Sequence, residues 1–344
     1  MAEIKKQAVV LFNLGGPDAV ENIKPFLFNF FMDKNIISMP KPFRYLLAKY
    51  ISIKRSKGEA LEAYNELGGK SPLLENTLKQ QDALQKELEQ KYPDKNIKVF
   101  TSMRYWHPMA NEVIGEVKKF NPDEIILLPL YPQYSTTTTK SSFENWDKNW
   151  SNCSIKTTKI CCYPTGYGFV KASADLIKTQ IKDIKQKYPD QKFRILFSAH
   201  GLPEKIIKAG DPYQHQCEKT VEAIINDLGI NNIDYRICYQ SQVGRLKWIG
   251  PNIKEEIKNA ANDKIGLLVY PHAFVSEHVE TLVEIDKEYR QMALNLKIPF
   301  FEKVKTVGTH PIFIKGLADL ILQALNNKIE KTCPANCIKC GKDL

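Results

Sequence analysis

Phe193-Arg194-Ile195-Leu196-Phe197-Ser198-Ala199-His200-Gly201-Leu202-Pro203 is the stretch on which the fold turns. Phe193–Ser198 is nearly all apolar, short, and closed by a Gly-Leu-Pro turn, which reads as a strand buried on both faces. Seven further runs of this kind lie near Ala8–Asn13, Lys98–Met103, Glu124–Leu130, Lys156–Cys162, Asp234–Tyr239, Lys264–Tyr270 and Pro299–Val304. Helical patterns separate them, among them Leu73–Tyr92, Pro108–Phe120, Gly168–Tyr188 and Gln214–Leu228. Strands alternating with helix-length segments predict an α/β fold of doubly wound parallel sheets covered on both faces.

A weak internal repeat predicts two similar halves. Leu11-Phe12-Asn13 runs into a Gly-Pro turn as Leu196-Phe197-Ser198 does, and LLPLYP at Leu127–Pro132 is echoed by LLVYP at Leu267–Pro271. The polar stretch Trp146–Lys159 marks the seam. The expected organisation is an N-terminal α/β domain over 1–152 and a C-terminal α/β domain over 153–310. A helix over 311–330 and a cysteine-rich tail over 331–344 follow. In open α/β sheets ligands bind beyond the carboxyl ends of the strands, so strand-end residues are the first candidates for chemistry.

The chain has 344 residues, enough for two domains with their own cores, and its 49 basic against 39 acidic residues give a formal charge of +10. That balance attracts anions: nucleic acid, an acidic membrane surface or a carboxylate-bearing ligand. No nucleic-acid module is recognisable. The apolar run Ala8–Leu14 is too short for a secretory signal and ends in a turn, and nothing approaches the ~18 apolar residues of a spanning helix. A soluble or peripheral cytoplasmic protein is expected. Eight cysteines in a chain of this length do not make a disulfide scaffold.

The first strand ends in Phe12-Asn13-Leu14-Gly15-Gly16-Pro17, whose spacing is not that of G-x-G-x-x-G. It reads as a turn, though its glycines also let a broad ligand lie against the backbone. His200 is either a proton acceptor or metal ligand in a cleft, or a strand-end histidine bonded to a carbonyl. In Ser276–Glu288, Ser276 is a candidate N-cap. At 3.6 residues per turn Glu277, Glu284 and Glu288 form one stripe with Glu280 at its edge: a solvated face, or a column of carboxylates that passes cations or protons. Tyr239 and Trp248 in YQSQVGRLKWIGP are flat side chains suited to stacking. Arg104, Tyr105, Tyr131 and Ser135 also follow strands. Aromatics with an arginine at strand ends fit a large planar ligand bearing carboxylates, although each has a core-packing explanation.

Ile23–Lys57 is aromatic and apolar yet laced with Lys and Arg. It reads as an extra helical layer or as a lip resting on an anionic bilayer, and the two are compatible. Cys333, Cys337 and Cys340 form C-x3-C-x2-C. They are three free thiols or part of a zinc or iron–sulfur site whose fourth ligand comes from Cys153, Cys161 or Cys162.

FNLGGPD, LGGKSPL (Leu67–Leu73), LYPQYS, FSAHGLPEKI, GDPY (Gly210–Tyr213), YQSQVG with WIGP, and FVSEHVETL occur in this order. Together they resemble the bacterial type of the ferrochelatase family, from about Val9 to about Leu320. The resemblance implies a chelatase-like pair of α/β domains with a porphyrin cleft between them. The implied reaction inserts Fe²⁺ into protoporphyrin IX with release of two protons, giving protohaem, the last step of haem biosynthesis. Iron is a substrate and no resident cofactor is required. The implied catalytic, metal-handling pair is His200 and Glu280, facing each other across the macrocycle, with Glu277, His278 and Glu284 extending the acidic side.

The resemblance further implies that Leu14, Tyr64, Arg104, Tyr105, Tyr131, Ser135, Tyr239 and Trp248 surround the porphyrin and that Lys54 and Arg55 pair with a propionate. It implies that the Ile23–Lys57 lip faces the inner side of the cytoplasmic membrane. Three departures stand out. Thr136 occupies the place where cluster-bearing animal relatives have a cysteine, so a [2Fe–2S] cluster here would join Cys333, Cys337 and Cys340 to Cys161 or Cys162. Arg245 replaces an expected proline, and His272 replaces an apolar residue. Rival readings are a related chelatase for another metal or for coproporphyrin, and a non-catalytic tetrapyrrole-binding protein; a nucleotide-dependent enzyme lacks its phosphate fingerprint.

Overall fold

A computed structural model describes residues 5–150, 154–244 and 246–326. All eight expected strands form, as β1 Lys6–Asn13, β2 Asn96–Met103, β3 Glu124–Pro129, β4 Lys156–Lys159, β5 Phe193–His200, β6 Tyr235–Gln240, β7 Gly266–Pro271 and β8 Phe301–Lys303. The helices are α1 Ile23–Phe31, α2 Lys41–Arg55, α3 Glu59–Asn65, α4 Leu73–Lys91, α5 Ala110–Phe120, α6 Ser141–Asn149, α7 Tyr167–Lys187, α8 Glu204–Lys208, α9 Tyr213–Leu228, α10 Ile253–Asn262, α11 Arg290–Asn295 and α12 Pro311–Leu325. Two segments, Thr136–Lys140 and Glu280–Tyr289, are π-helical.

The strands make two four-stranded sheets of order β2-β1-β3-β4 and β6-β5-β7-β8, and every pairing is parallel. The orders are the same once β1 is matched to β5, so the repeat between LFN and LFS, and between LLPLYP and LLVYP, is a repeat of equivalent strands. The described chain divides into two units. One runs to Tyr131 and includes Ser135–Cys162 and the residues from Leu317; the other comprises Pro132–Tyr134 and Tyr163–Gly316. The break at Cys162 lies beyond the expected seam because Lys156–Lys159 pairs with Glu124–Leu127 and completes the first sheet.

Burial on both faces explains the near-continuous apolar strands. Along β5, Ile195 and Phe197 pack under α7 and α9 with Ile177, Ile181, Val221 and Ile224. Leu196 between them points the other way, onto Ile253, Ile257 and Ile285. In the first unit Ala8, Val10 and Phe12 face Val113, Val117 and Trp146. The edge strand β2 is blunted by α4: Gln85 Oε1 accepts from Val99 N at 2.8 Å and Gln85 Nε2 donates to Ile97 O at 2.9 Å. The glycine turn after β1 packs on the LGGKSPL segment. Ser71 N donates to Pro17 O at 2.7 Å, and a Cβ on Gly16 would stand 2.6 Å from Ser71 Cβ, so only glycine fits there.

Candidate functional site

In the second unit the strand order reverses at β5, which has β6 on one side and β7 on the other. The crevice beyond the carboxyl ends of such strands is where α/β sheets bind ligands. His200 is the last residue of β5. The chain can turn away at once because Gly201 has no side chain; a Cβ there would lie 2.9 Å from Gln240 O and 3.3 Å from the Trp248 ring. The imidazole is left 36% exposed, whereas Ser198 and Ala199 before it are fully buried.

Glu280 opens the π-helical segment that follows β7. His200 Nδ1 lies 2.9 Å from Glu280 Oε2. An ionised carboxylate only accepts, so the contact puts the proton on Nδ1 and leaves Nε2 as the basic nitrogen. Burial by itself would raise the Glu280 pKa. The charge and hydrogen bond of His200, with His278 behind it, outweigh that and hold the carboxyl well below the usual carboxylate range. His278 is 7% exposed, its Nδ1 is 3.1 Å from Ser276 O, and its Nε2 is 3.8 Å from Glu280 Oε2. The implied arrangement has His200 and Glu280 facing each other across a macrocycle. At 2.9 Å the pair is in direct contact, with no room for a ring between.

The acidic stripe is broken up by its partners. Glu277 is held by Lys303, whose Nζ is 3.1 and 3.0 Å from Oε1 and Oε2, and by the Thr306 N–H at 2.9 Å. Glu284 accepts from Gln240 Nε2 at 2.9 Å, Ser241 N at 2.8 Å, the Ser241 hydroxyl and Tyr289 Oη. Glu288 is exposed. The π-helical turns start at Glu280, and Val279 rather than Ser276 holds their N-cap position. The i→i+5 bonding replaces the 3.6-residue repeat on which the stripe was drawn, and such π turns concentrate at functional sites.

Of the expected ring-contacting residues, Tyr239 is 1% exposed, in a cluster with Ala199, Leu202, Tyr213, Cys217 and Ile249, and burial pushes its hydroxyl pKa far up. Trp248 is half-buried and bridges Pro203 across the mouth of β5, its Nε1 donating to Val243 O at 3.1 Å. In the first unit Leu14 is half-buried, while Tyr64 and Ser135 are buried; Ser135 Oγ accepts from Thr137 N at 3.1 Å and so caps the first π-helical turn. Tyr131 is half-buried on the first core. Lys54 is exposed, and Arg55 has a buried Nε with no hydrogen-bond partner among the described residues.

Arg104 and Tyr105 meet on Asp33, which the sequence reading missed. Asp33 Oδ2 accepts from Arg104 Nη2 and from Tyr105 Oη, each at 2.8 Å, and from the Ser141 hydroxyl. Asp33 follows α1 in a run of apolar residues, and nothing local to it signals a partner 71 residues away. Gln240 and Lys303 were missed for the same reason.

A ferrochelatase family model matches residues 6–325. The chain belongs to the ferrochelatase family. It is 48% identical over 346 aligned residues to the ferrochelatase of Rickettsia felis, covering 98% of both chains. With the ferrochelatase of a Wolbachia from Drosophila simulans it shares 50% identity over 319 residues, 92% of this chain and 99% of the relative. Among solved structures, SirB from Bacillus subtilis with Fe³⁺ aligns with a TM-score of 0.52 at 14% identity, over 94% of this chain and 97% of SirB. CbiX, described as the terminal enzyme for siroheme biosynthesis in denitrifying bacteria, aligns at 0.50 and 13% identity, over 93% and 99%. At these identities the structural likeness speaks for the chelatase fold alone. Family membership makes this chain a metal chelatase, as the ordered motifs imply.

Among the described residues no group of three or more His, Cys, Asp or Glu side chains is arranged to hold a metal ion, and no helix is long and apolar enough to cross a membrane. Cys161 Sγ and Cys162 Sγ are 3.6 Å apart. Cys153, Cys333, Cys337, Cys340, Arg245 and the 331–344 tail lie outside the described residues.

Proposed function

We propose that this family member inserts Fe²⁺ into protoporphyrin IX and releases two protons, with His200 and Glu280 as the reacting pair. The observation that carries the reading is the 2.9 Å contact between His200 Nδ1 and Glu280 at a strand-order reversal. Replacing two pyrrole N–H protons by Fe²⁺ needs a base at the ring face. His200 Nε2 is that base: its other nitrogen is already committed to Glu280, and the carboxylate stabilises the imidazolium that forms.

Glu280, kept ionised, and His278, whose Nε2 faces it at 3.8 Å, offer an oxygen and a nitrogen donor to the incoming ion or the departing protons. Two donors make an open seat that gives its metal up, as insertion requires. Glu284 lies four residues further along the π-helical segment. Glu277 serves as an anchor in this scheme, because Lys303 neutralises it. Lys54 and Arg55 supply cationic partners for a propionate, and Leu14, Tyr64, Arg104, Tyr105, Tyr131, Ser135, Tyr239 and Trp248 belong to the ring's surroundings directly or by backing its walls.

The test is anaerobic Fe²⁺ insertion followed by loss of porphyrin fluorescence. His200→Ala should lower turnover by at least ~10²-fold, the low end for loss of a general base, while porphyrin still binds. Near-normal insertion by the variant overturns the assignment. Comparing Fe²⁺, Co²⁺ and Zn²⁺ on protoporphyrin and coproporphyrin fixes the metal and ring.

Peripheral contact with an anionic membrane is part of the proposal. On α2, Phe43, Leu46 and Tyr50 are 61%, 65% and 63% exposed and repeat at helical spacing, flanked by exposed Lys41, Lys49 and Lys54, while Ala48 and Ser52 face inward. Chemistry at His200 needs no resident cofactor. Cys333, Cys337 and Cys340 would join Cys161 or Cys162 in a [2Fe–2S] cluster. Visible spectra and metal analysis of anaerobically prepared protein test this, and a colourless, iron-free preparation overturns it.

A further inference from the structure

We propose that Gln240 is a positioning residue whose buried amide ties the π-helical segment carrying Glu280 to the strand carrying His200, and so sets the contact between them. This rests on the reading of His200 and Glu280 as the reacting pair.

Gln240 is the last residue of β6 and the register partner of His200, and its side chain is fully buried. Side chains two apart on a strand share a face, so Ser198 and His200 lie on the same side of β5. Gln240 reaches that side: its Oε1 accepts from Ser198 Oγ at 2.7 Å. Its Nε2 donates to Glu284 Oε2 at 2.9 Å and lies 3.4 Å from Glu280 O. The amide orientation follows from chemistry, since an ionised Glu284 only accepts and must face the NH₂ group.

The remaining donors on Glu284 are Ser241 N, the Ser241 hydroxyl and Tyr289 Oη, so both carboxylate oxygens are fixed. Glu284 therefore anchors the π-helical segment to the end of β6, four residues beyond Glu280. One amide thus bridges the strand two residues before His200 and the segment that begins with Glu280. Loss of the bridge frees the carboxylate of Glu280 to move relative to the imidazole, and a displacement of ~1 Å is enough to cost ~10²-fold in rate.

The test exchanges the two groups. Gln240→Glu sets two carboxylates against each other. In the double variant Gln240→Glu/Glu284→Gln, the Ser198 hydroxyl still meets an acceptor at position 240, and the amide at position 284 donates back to it. Two readouts are taken on each chain: the low-field proton resonance of the His200 Nδ1–H, assigned by its loss in His200→Ala, and kcat and KM for insertion. Gln240→Glu should lose the resonance and at least tenfold in kcat with the porphyrin KM within about threefold, and the double variant should regain both.

A retained resonance in Gln240→Glu overturns the proposal, as does a double variant that recovers neither readout. If Gln240→Glu does not fold, Gln240→Met, which keeps the volume and removes the donor, is read the same way. Failure of the function reading shows separately, as insertion that survives His200→Ala.

Discussion

Lys303 Nζ lies 3.0 Å from Glu277 Oε2, and the lysine side chain is only 6% exposed against 20% for its partner. The pair joins the end of β8 to the loop that leads into Glu280. It also separates Glu277 from the other acids of the segment.

Removing one member of such a pair leaves the other charge without compensation. Lys303→Met should destabilise the chain by about 3 kcal/mol, the low end of what breaking a buried pair costs. Adding Glu277→Gln should recover most of that loss. Urea denaturation of the two variants checks this, and equal stability of Lys303→Met and wild type would show that the pair contributes nothing.

His272 gives the fold a pH dependence. It is fully buried against the edge of Phe197, its two ring nitrogens lack a hydrogen-bond partner among the described residues, and burial pulls its pKa down to about 3, offset slightly by the Ser198 backbone. The folded pKa lies below the unfolded value of about 6.5, so folding favours the neutral ring. Its contribution is complete above pH 6.5 and is lost as pH falls toward 3. Between pH 7.5 and pH 5 the loss from this group is about 2 kcal/mol. Unfolding free energies from urea denaturation at the two pH values should differ less in His272→Leu than in wild type by that amount.

The exposed stripe of α2 predicts surface binding that depends on both charge and apolar contact. Phe43→Ser/Leu46→Ser/Tyr50→Ser should lower partition onto anionic vesicles at least tenfold, since each side chain that inserts is worth on the order of 1 kcal/mol or more. Wild-type binding should fall as salt rises, because surface charges are screened within about a nanometre. Vesicle sedimentation reads both effects, and unchanged partition of the variant would leave α2 as a packing layer only.

The eight strands were legible because each is buried on both faces and so reads as an apolar run, and the helices between them carry one apolar side. Phe197, Leu196 and Leu268 announce their places by composition alone. The position of His200 at the end of β5 was legible because it closes such a run at a Gly-Leu-Pro turn. The stripe was misdrawn because a 3.6-residue repeat does not survive in a π-helical segment, where the backbone bonds close one residue later.

Sequence alone therefore determined the α/β class, the repeat, the family and the place of His200 at a strand end. These depend on local periodicity and on short motifs, which the chain carries in order. Only the tertiary structure decided which charge meets which: Lys303 on Glu277, Asp33 on Arg104 and Tyr105, Gln240 between Ser198 and Glu284. Hydrogen bonds and ion pairs act over about 3 Å and join residues separated by dozens of positions, so no local pattern encodes them. The contact of His200 with Glu280 is of this kind, 80 residues apart in sequence and 2.9 Å apart in space.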